Sequence, residues 1–459
     1  MNVVLLVVDS LRARSLARDG GPRTPFLDGL ARRTMHFRRA YASECWTLPS
    51  HLSMFTGLLP SAHGAHFQSM GYAGSAPTVA ELLARAGWRT EVITRNSLFD
   101  GTIPGATRGF ARNTRVLTDL TGIATPYAFV LALARPRVRR LIERSGFFGS
   151  LQKRNREFLT TLARMGLPAD RRALDVALER MATHRRRGER YFLFLNLYDV
   201  HAPYSPSPAS PLRSFASPRG WLENASLPLF LPRVSSHAYL RPGFRMSAYG
   251  RRMLRGRYHS AIELMDSKLA EFYRSAERAG LLDDTLLVLT SDHGEAFGDH
   301  DLYFHDASVY DTHLHVPLWI RHPDVAPGSC GDVVATRQLF DLFRGVTLGD
   351  GIRGTLLDPG ARPAGGVALA EHFHYPLTEG LLERYTQNLA AAVVGSQKMI
   401  VRREGLCRYD LARDPDERHP EPATVRDFAA ACRREGAGTA AIAAAAAHLG
   451  RWEATSAAA

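Results

Sequence analysis

The stretch Leu286-Leu287-Val288-Leu289-Thr290-Ser291-Asp292-His293-Gly294-Glu295 decides the fold. Its first half is an apolar run that reads as a buried strand, and the polar residues follow it with no spacer. The arrangement recurs twice. Val3 to Val8 is a β-branched run ending at Asp9, and Tyr191 to Tyr198 is an aromatic and aliphatic run ending at Asp199 and His201. Buried strands of this kind belong to parallel sheets, whose ligands bind beyond the carboxyl ends of the strands. Two carboxylates and an imidazole converging there make a divalent-metal site. Taken singly, an Asp at a strand end is more often a helix N-cap than a ligand.

Between these strands the pattern is helical. Thr24-Pro25 opens a helix through Ala31, with Thr24 as N-cap and Pro25 in the first turn. Thr78 to Ala86 reads as a helix stopped by Gly87, and Arg89 to Thr94 as the next strand. Ile262, Met265, Leu269 and Phe272 keep helical spacing in a segment ended by Gly280, and Val316 to Ile320 is a further strand. Strands alternating with helices predict an α/β fold: a large, mostly parallel sheet sandwiched by helices. Val393-Val394 and Met399-Ile400-Val401, flanking Gly395-Ser396, predict a hairpin or small sheet. The expected organisation is therefore a catalytic domain over 1–335, a small C-terminal α+β subdomain over 336–424, and an Ala-rich terminal helix or fraying tail over 425–459. Two insertions are expected near 121–190, helical and Arg-rich, and 205–245, rich in Pro and Ser; either is a candidate lid.

With 459 residues, 45% hydrophobic, the chain buries a large core and is neither disordered nor fibrous. The net charge of +13 favours an anionic partner, but only Lys153, Lys268 and Lys398 are lysines, a bias that genome base composition also produces. No aromatic-basic module or recognition motif points to nucleic acid. Cys45, Cys330, Cys407 and Cys432 lack metal-site or redox spacing, which fits a reducing compartment. The apolar N-terminus reads as a strand rather than a signal peptide, and no stretch has the length of a membrane helix. The expectation is a soluble, cytoplasmic protein.

The segment Trp46-Thr47-Leu48-Pro49-Ser50-His51-Leu52-Ser53-Met54-Phe55-Thr56-Gly57 places a hydroxyl just before a proline and a helix start, where backbone N–H groups favour an anion. A hydroxyl bonded to a metal there can lose its proton and attack.

These segments resemble successive blocks of sulfatase-like members of the alkaline-phosphatase superfamily. The resemblance runs through Val8 to Arg12, Thr24 to Asp28, Thr47 to Pro60, Asp284 to Glu295 and Tyr310 to Pro317, in order, over most of the first 320 residues. Tyr409-Asp410-Leu411 with Asp414-Pro415 and Glu417 resembles the family's C-terminal signature. The resemblance implies a metal held by Asp9, Thr47, Asp292 and His293, with Thr47 also the nucleophile. It implies that His201 faces the substrate or protonates the leaving group, and that His305 binds a substrate oxygen. Arg12 reads either as a group that offsets developing charge or as half of a structural ion pair, and His51 as a substrate-binding residue.

The departures narrow the chemistry. Family sulfatases carry Cys or Ser at the position of Thr47, oxidised to formylglycine, and Arg at the position of His51. Ser10 replaces a usual second Asp, which removes one oxygen ligand, so one ion is expected rather than two. The donor set suits Mn²⁺ or Zn²⁺ better than Ca²⁺, with Mg²⁺ also admissible. The expected function is metal-dependent hydrolysis of an anionic small-molecule ester, a phosphodiester, phosphomonoester or phosphonate ester, through a phosphothreonine at Thr47. A sulfatase without formylglycine, a phospho-group transferase and a non-catalytic anion-binding member are the alternatives.

Overall fold

The computed structural model describes residues 1–16, 21–116, 170–202, 204, 238–240, 242–244, 246–305, 307–349, 351–362, 365–374 and 380–458. Most of the two regions expected as insertions or lids lies outside these residues; helix Asp170–Arg186 is the described part of the first.

The strands in chain order are β1 (Asn2–Val8), β2 (Met35–Tyr41), β3 (Arg89–Thr94), β4 (Arg112–Arg115), β5 (Tyr191–Leu197), β6 (Thr285–Thr290), β7 (Ala296–Phe297), β8 (Tyr303–Phe304), β9 (His315–Arg321), β10 (Gly328–Ala335), β11 (Val367–His372), β12 (Leu389–Val394), β13 (Gln397–Arg402), β14 (Gly405–Asp410) and β15 (Glu421–Pro422). One eight-stranded sheet has the order β10-β2-β9-β6-β1-β5-β3-β4. It is the mostly parallel sheet that the sequence predicts, with one exception. β9 is antiparallel to both β2 and β6. The short helix Asp311–Leu314 returns the chain to the end of the sheet where β6 finished, so β9 must run back down.

β1 lies at the centre, parallel to β5 and β6, with Val8 opposite Leu197 and Val7 opposite Thr290. Its side chains alternate between two cores, as a period of two requires. Val3, Leu5 and Val7 join Leu48, Leu52, Phe55 and Phe343 on one face, whereas Val4, Leu6 and Val8 join Ala177, Met181, Ile262 and Met265 on the other. Both faces are therefore covered by helices, and each of these buried aliphatic side chains contributes about 1.5–3 kcal/mol.

Three strands carry no apolar run. β4 (Arg112–Arg115) and β10, whose first half is polar, close the sheet's two edges, and β2 beside β10 carries exposed Arg38 and half-buried Arg39, which donates to Gly395 O, so their sequences do not show the pattern of a buried strand. Thr24 precedes helix Pro25–Leu30 as expected but does not cap it, because its hydroxyl donates to Asp28. The cap comes from Asp266 of helix Ala248–Arg278, which accepts from the N–H groups of Phe26 and Leu27 at 3.1 and 2.8 Å.

β11 to β15 form a five-stranded antiparallel sheet, the small sheet that Val393 to Val401 predicts. The Ala-rich end of the chain folds as helices Val425–Arg434 and Thr439–Ala458, and Ala441, Ile442, Ala445 and Leu449 are buried against this sheet instead of fraying. Among the described residues no helix is long and apolar enough to cross a membrane. The four cysteines are buried, and none forms a disulfide.

A buried ion cluster ties the two sheets together. Lys398 of β13 is fully enclosed and pairs with Asp311 at 2.6 Å and Glu417 at 2.7 Å. Removing the cation leaves two buried carboxylates uncompensated, so Lys398→Met is expected to lower stability by about 3–5 kcal/mol. Urea unfolding of the two proteins measures this.

Candidate active site

Three neighbouring strands deliver the polar residues to one place. Asp9 follows β1, and its N–H donates to Leu197 O at the end of β5. Asp292 and His293 follow β6. Ser10, between them, adopts φ of +65°, a conformation costly for a residue with a Cβ. It is held there from both sides. Its N–H donates to Asp292 Oδ1 at 3.2 Å, and the Tyr258 hydroxyl donates to its carbonyl at 2.7 Å.

Thr47 is the first residue of helix Thr47–Thr56, all ten of whose residues are buried. Ser50 fixes this helix to the β6 end by donating to the Asp292 carbonyl at 2.6 Å. Gly57 ends it in the left-handed conformation, where an added Cβ would lie 3.0 Å from the Phe340 ring. Gly294 has a different reason to lack a side chain. A Cβ there would approach the Thr312 carbonyl to 2.2 Å, and this close passage lets Gly294 N–H donate to His313 O.

The result brings Asp9, Thr47, Asp292 and His293 together. Thr47 Oγ1 lies 3.4 Å from Asp9 Oδ2 and 3.3 Å from His293 Nε2. His293 Nε2 lies 3.6 Å from Asp9 Oδ1 and 3.5 Å from Asp292 Oδ2. On the other side of the His293 ring, Nδ1 is 2.9 Å from Gly294 O. A carbonyl only accepts, so the ring proton sits on Nδ1 and the Nε2 lone pair points into the cluster.

The electrostatics call for a cation. Asp9, Asp292 and His293 are fully enclosed, and their ligand atoms lie within 4.8 Å of one another. Burial, then the charge of Asp9, pushes the Asp292 carboxyl well above its ordinary range. Burial also pushes the His293 imidazole well below its own. Asp292 Oδ2 has no hydrogen-bond partner, and no lysine or arginine among the described residues forms an ion pair with either carboxylate. Two buried carboxylates and an outward lone pair fit a divalent cation, with Thr47 beside it.

His305 and His201 stand next to this group. The His305 ring centroid is 4.4 Å from that of His293 and 4.9 Å from that of His201. Burial lowers the His305 imidazole to about 3, so it is neutral at physiological pH, and its Nδ1 lies 3.0 Å from Glu295 Oε1. His201 has Nδ1 2.7 Å from Ala202 O and Nε2 3.2 Å from the Tyr198 hydroxyl.

Arg12 and His51, the two expected substrate-binding residues, have other partners. Arg12 pairs with Asp299 at 3.3 Å and borders a cleft of about 350 Å³ with Arg14, His300 and Arg418, a cleft that none of Asp9, Thr47, Asp292 and His293 lines. His51 is enclosed among Phe55, Phe99 and Phe194, with Nδ1 2.7 Å from Thr47 O and 3.6 Å from Asp292 Oδ2. It buttresses the site from behind. Asp199, a strand-end candidate from the sequence, pairs instead with Arg95 at 2.9 Å and with Lys268.

Sequence reading missed four neighbours. Asn96 and Asn196 both donate to Asp9 Oδ2, at 3.4 and 3.2 Å, and so orient that carboxylate. Tyr198 and Glu295 contact the two outer histidines. Asn196 carried a signal, since a lone amide in the run Tyr191 to Leu197 is costly to bury without a partner.

A family model described as Sulfatase matches residues 1–346. A choline-sulfatase of Rhizobium meliloti is 26% identical over 91% of this chain and 79% of its own length. Human arylsulfatase K is 24% identical over 74% of this chain and 61% of its own. Among solved structures, the phosphonate monoester hydrolase of Agrobacterium radiobacter superposes with a TM-score of 0.63 at 20% identity, covering 95% of this chain and 94% of that one.

Two outcomes follow from the geometry. Asp292→Asn should weaken Mn²⁺ binding at least about tenfold by calorimetric titration, while Asp299→Asn leaves it unchanged. Burial alone would raise the Asp299 carboxyl, but the Arg12 charge holds it well below the usual range. A depressed carboxylate contributes stability above its unfolded pKa of about 4 that is lost as pH falls. Asp299→Asn should therefore flatten the acid limb of a stability-against-pH curve.

Proposed function

The chain belongs to the sulfatase family, a family of ester hydrolases, and from that premise we propose that it hydrolyses small anionic phosphate or phosphonate esters with Thr47 as nucleophile. The observation that carries this reading is the Thr47 hydroxyl, a secondary alcohol that cannot be converted to the formylglycine aldehyde, set within 3.4 Å of Asp9 and His293. A divalent cation held by Asp9, Asp292, His293 and Thr47 would polarise the ester and lower the proton affinity of the Thr47 hydroxyl.

The chain's own residues do the rest. Thr47 passes its hydroxyl proton to Asp9 Oδ2, to which it donates, and Oγ1 attacks phosphorus as the bond to the leaving oxygen breaks; the proton returns to Thr47 when water cleaves the intermediate. Its position at a helix N-terminus favours the anionic group under attack. His305, neutral and oriented by Glu295, faces the oxygens that gain charge. His201 in its imidazolium form, with Nδ1–H fixed on Ala202 O and Nε2 beside the Tyr198 hydroxyl, gives its Nε2 proton to the departing alkoxide and takes one back from the water that releases Thr47. Asn96 and Asn196 keep Asp9 in place. Arg12 and His51 act as positioning groups rather than substrate ligands.

Threonine favours phosphorus esters over sulfate esters. A formylglycine hydrate expels sulfate by collapsing to its aldehyde, but a sulfated threonine has no such exit and needs direct attack by water. The competing reading, a sulfatase working through unmodified threonine, is favoured by the names of the two sulfatase relatives.

Metal-loaded protein assayed on nitrophenyl phosphate, bis-nitrophenyl phosphate, a phenylphosphonate ester and nitrophenyl sulfate separates the two. We expect a phosphorus ester to be preferred, and Thr47→Ala to lower kcat on it by about 10⁴-fold or more. His201→Ala should slow esters with poor leaving groups more than nitrophenyl esters. Preference for the sulfate, or wild-type rates for Thr47→Ala, would overturn the reading.

A further inference from the structure

A second cluster of metal-binding groups lies two residues upstream of the nucleophile. Glu44, Cys45 and His372 are fully enclosed, and one ligand atom from each lies within 4.8 Å of the others. Cys45 Sγ is 3.4 Å from His372 Nδ1, which is 2.8 Å from Glu44 Oε1. Hydrogen bonding meets only part of this arrangement. As an N–H donor, His372 Nδ1 serves the Glu44 carboxylate and, weakly, the Cys45 sulfur. Glu44 Oε2 and His372 Nε2 are also buried, and neither has a hydrogen-bond partner. Among the described residues no lysine or arginine forms an ion pair with Glu44. Nor is this a nucleophilic relay, which needs thiol and carboxylate on opposite nitrogens of the ring.

We propose that Glu44, Cys45 and His372 hold a second, structural metal ion of the zinc class, separate from the ion beside Thr47. A thiolate, an imidazole and a carboxylate form a donor set that borderline-soft Zn²⁺ accepts and Mg²⁺ or Ca²⁺ does not. Three protein ligands leave one of four tetrahedral positions open to a further donor. The ion neutralises the Glu44 carboxylate and binds Cys45 as thiolate, releasing its proton to solvent. It also has a mechanical consequence. His372 ends β11, whose Glu371 N–H already donates to Ser43 O at 3.0 Å. The ion clips the five-stranded sheet onto the segment that leads through Trp46 into Thr47, and so fixes where the nucleophile helix begins. None of this depends on which ester the enzyme hydrolyses.

Co²⁺ reports this site selectively, because a thiolate ligand produces a near-ultraviolet charge-transfer band that the oxygen and nitrogen donors around Thr47 do not. Metal-free full-length protein titrated with Co²⁺ should develop the band at one thiolate per chain. Cys45→Ser should abolish it. Thr47→Ala and the triple variant Cys330→Ser, Cys407→Ser, Cys432→Ser, in which Cys45 is the sole thiol, should retain it. If Cys45→Ser fails to fold, the wild type and the triple variant decide the matter. A wild-type protein without the band, a band that persists in folded Cys45→Ser, or its loss in a folded triple variant would overturn the proposal.

Discussion

Asp9 and Asp292 are two carboxylates sealed in the centre of the molecule, and among the described residues no lysine or arginine pairs with either. Each would be costly to bury charged, and together they repel. The surrounding structure is arranged to hold them in place regardless. Ser10 is forced into a left-handed conformation so that its N–H reaches Asp292, and Tyr258, from a helix on one face of the sheet, locks it there. Asn96 and Asn196 supply N–H groups to Asp9 from two further strand ends. Protein donors satisfy part of the carboxylates' demand, and the rest calls for a cation.

That demand explains the rest of the centre. Helix Thr47–Thr56 is buried along its whole length, so the position of its first residue is set by the core. His51 lies one turn on, packed in phenylalanines, with its Nδ1 close to both the Thr47 carbonyl and Asp292. In family sulfatases an arginine is expected there, and a neutral ring in its place removes a positive charge from behind the nucleophile. An unoxidised threonine and a neutral neighbour are consistent with each other. Both are in keeping with the hydrolysis at phosphorus proposed above.

How much of this the sequence discloses depends on what each residue packs against. The central strands are legible because burial on both faces produces unbroken apolar runs, and Asp9, Asp292, His293 and Thr47 are legible because they stop those runs or open a helix. β4 and β10 at the sheet's edges are not, since solvent accepts their polar side chains. The antiparallel direction of β9 is equally hidden, because side-chain alternation carries no direction. Asp199 shows the limit of the strand-end rule. It ends the run Tyr191 to Tyr198, yet its charge is met by Arg95 and by Lys268, which arrives from a helix about 70 residues away in sequence. Two of the chain's three lysines, Lys268 and Lys398, are buried ion-pair partners. In so arginine-rich a chain, their rarity was a signal that spacing alone does not reveal.

In the proposed reaction Thr47 carries the reacting group between two chemical steps. Rapid quenching of the metal-loaded enzyme during turnover of a phosphorus ester, followed by peptide mass spectrometry, detects that intermediate. The substrate's phosphoryl fragment should sit on the peptide that contains Thr47, appearing within the first turnover and disappearing as substrate is exhausted. Steady turnover with Thr47 unmodified at every time point would contradict it.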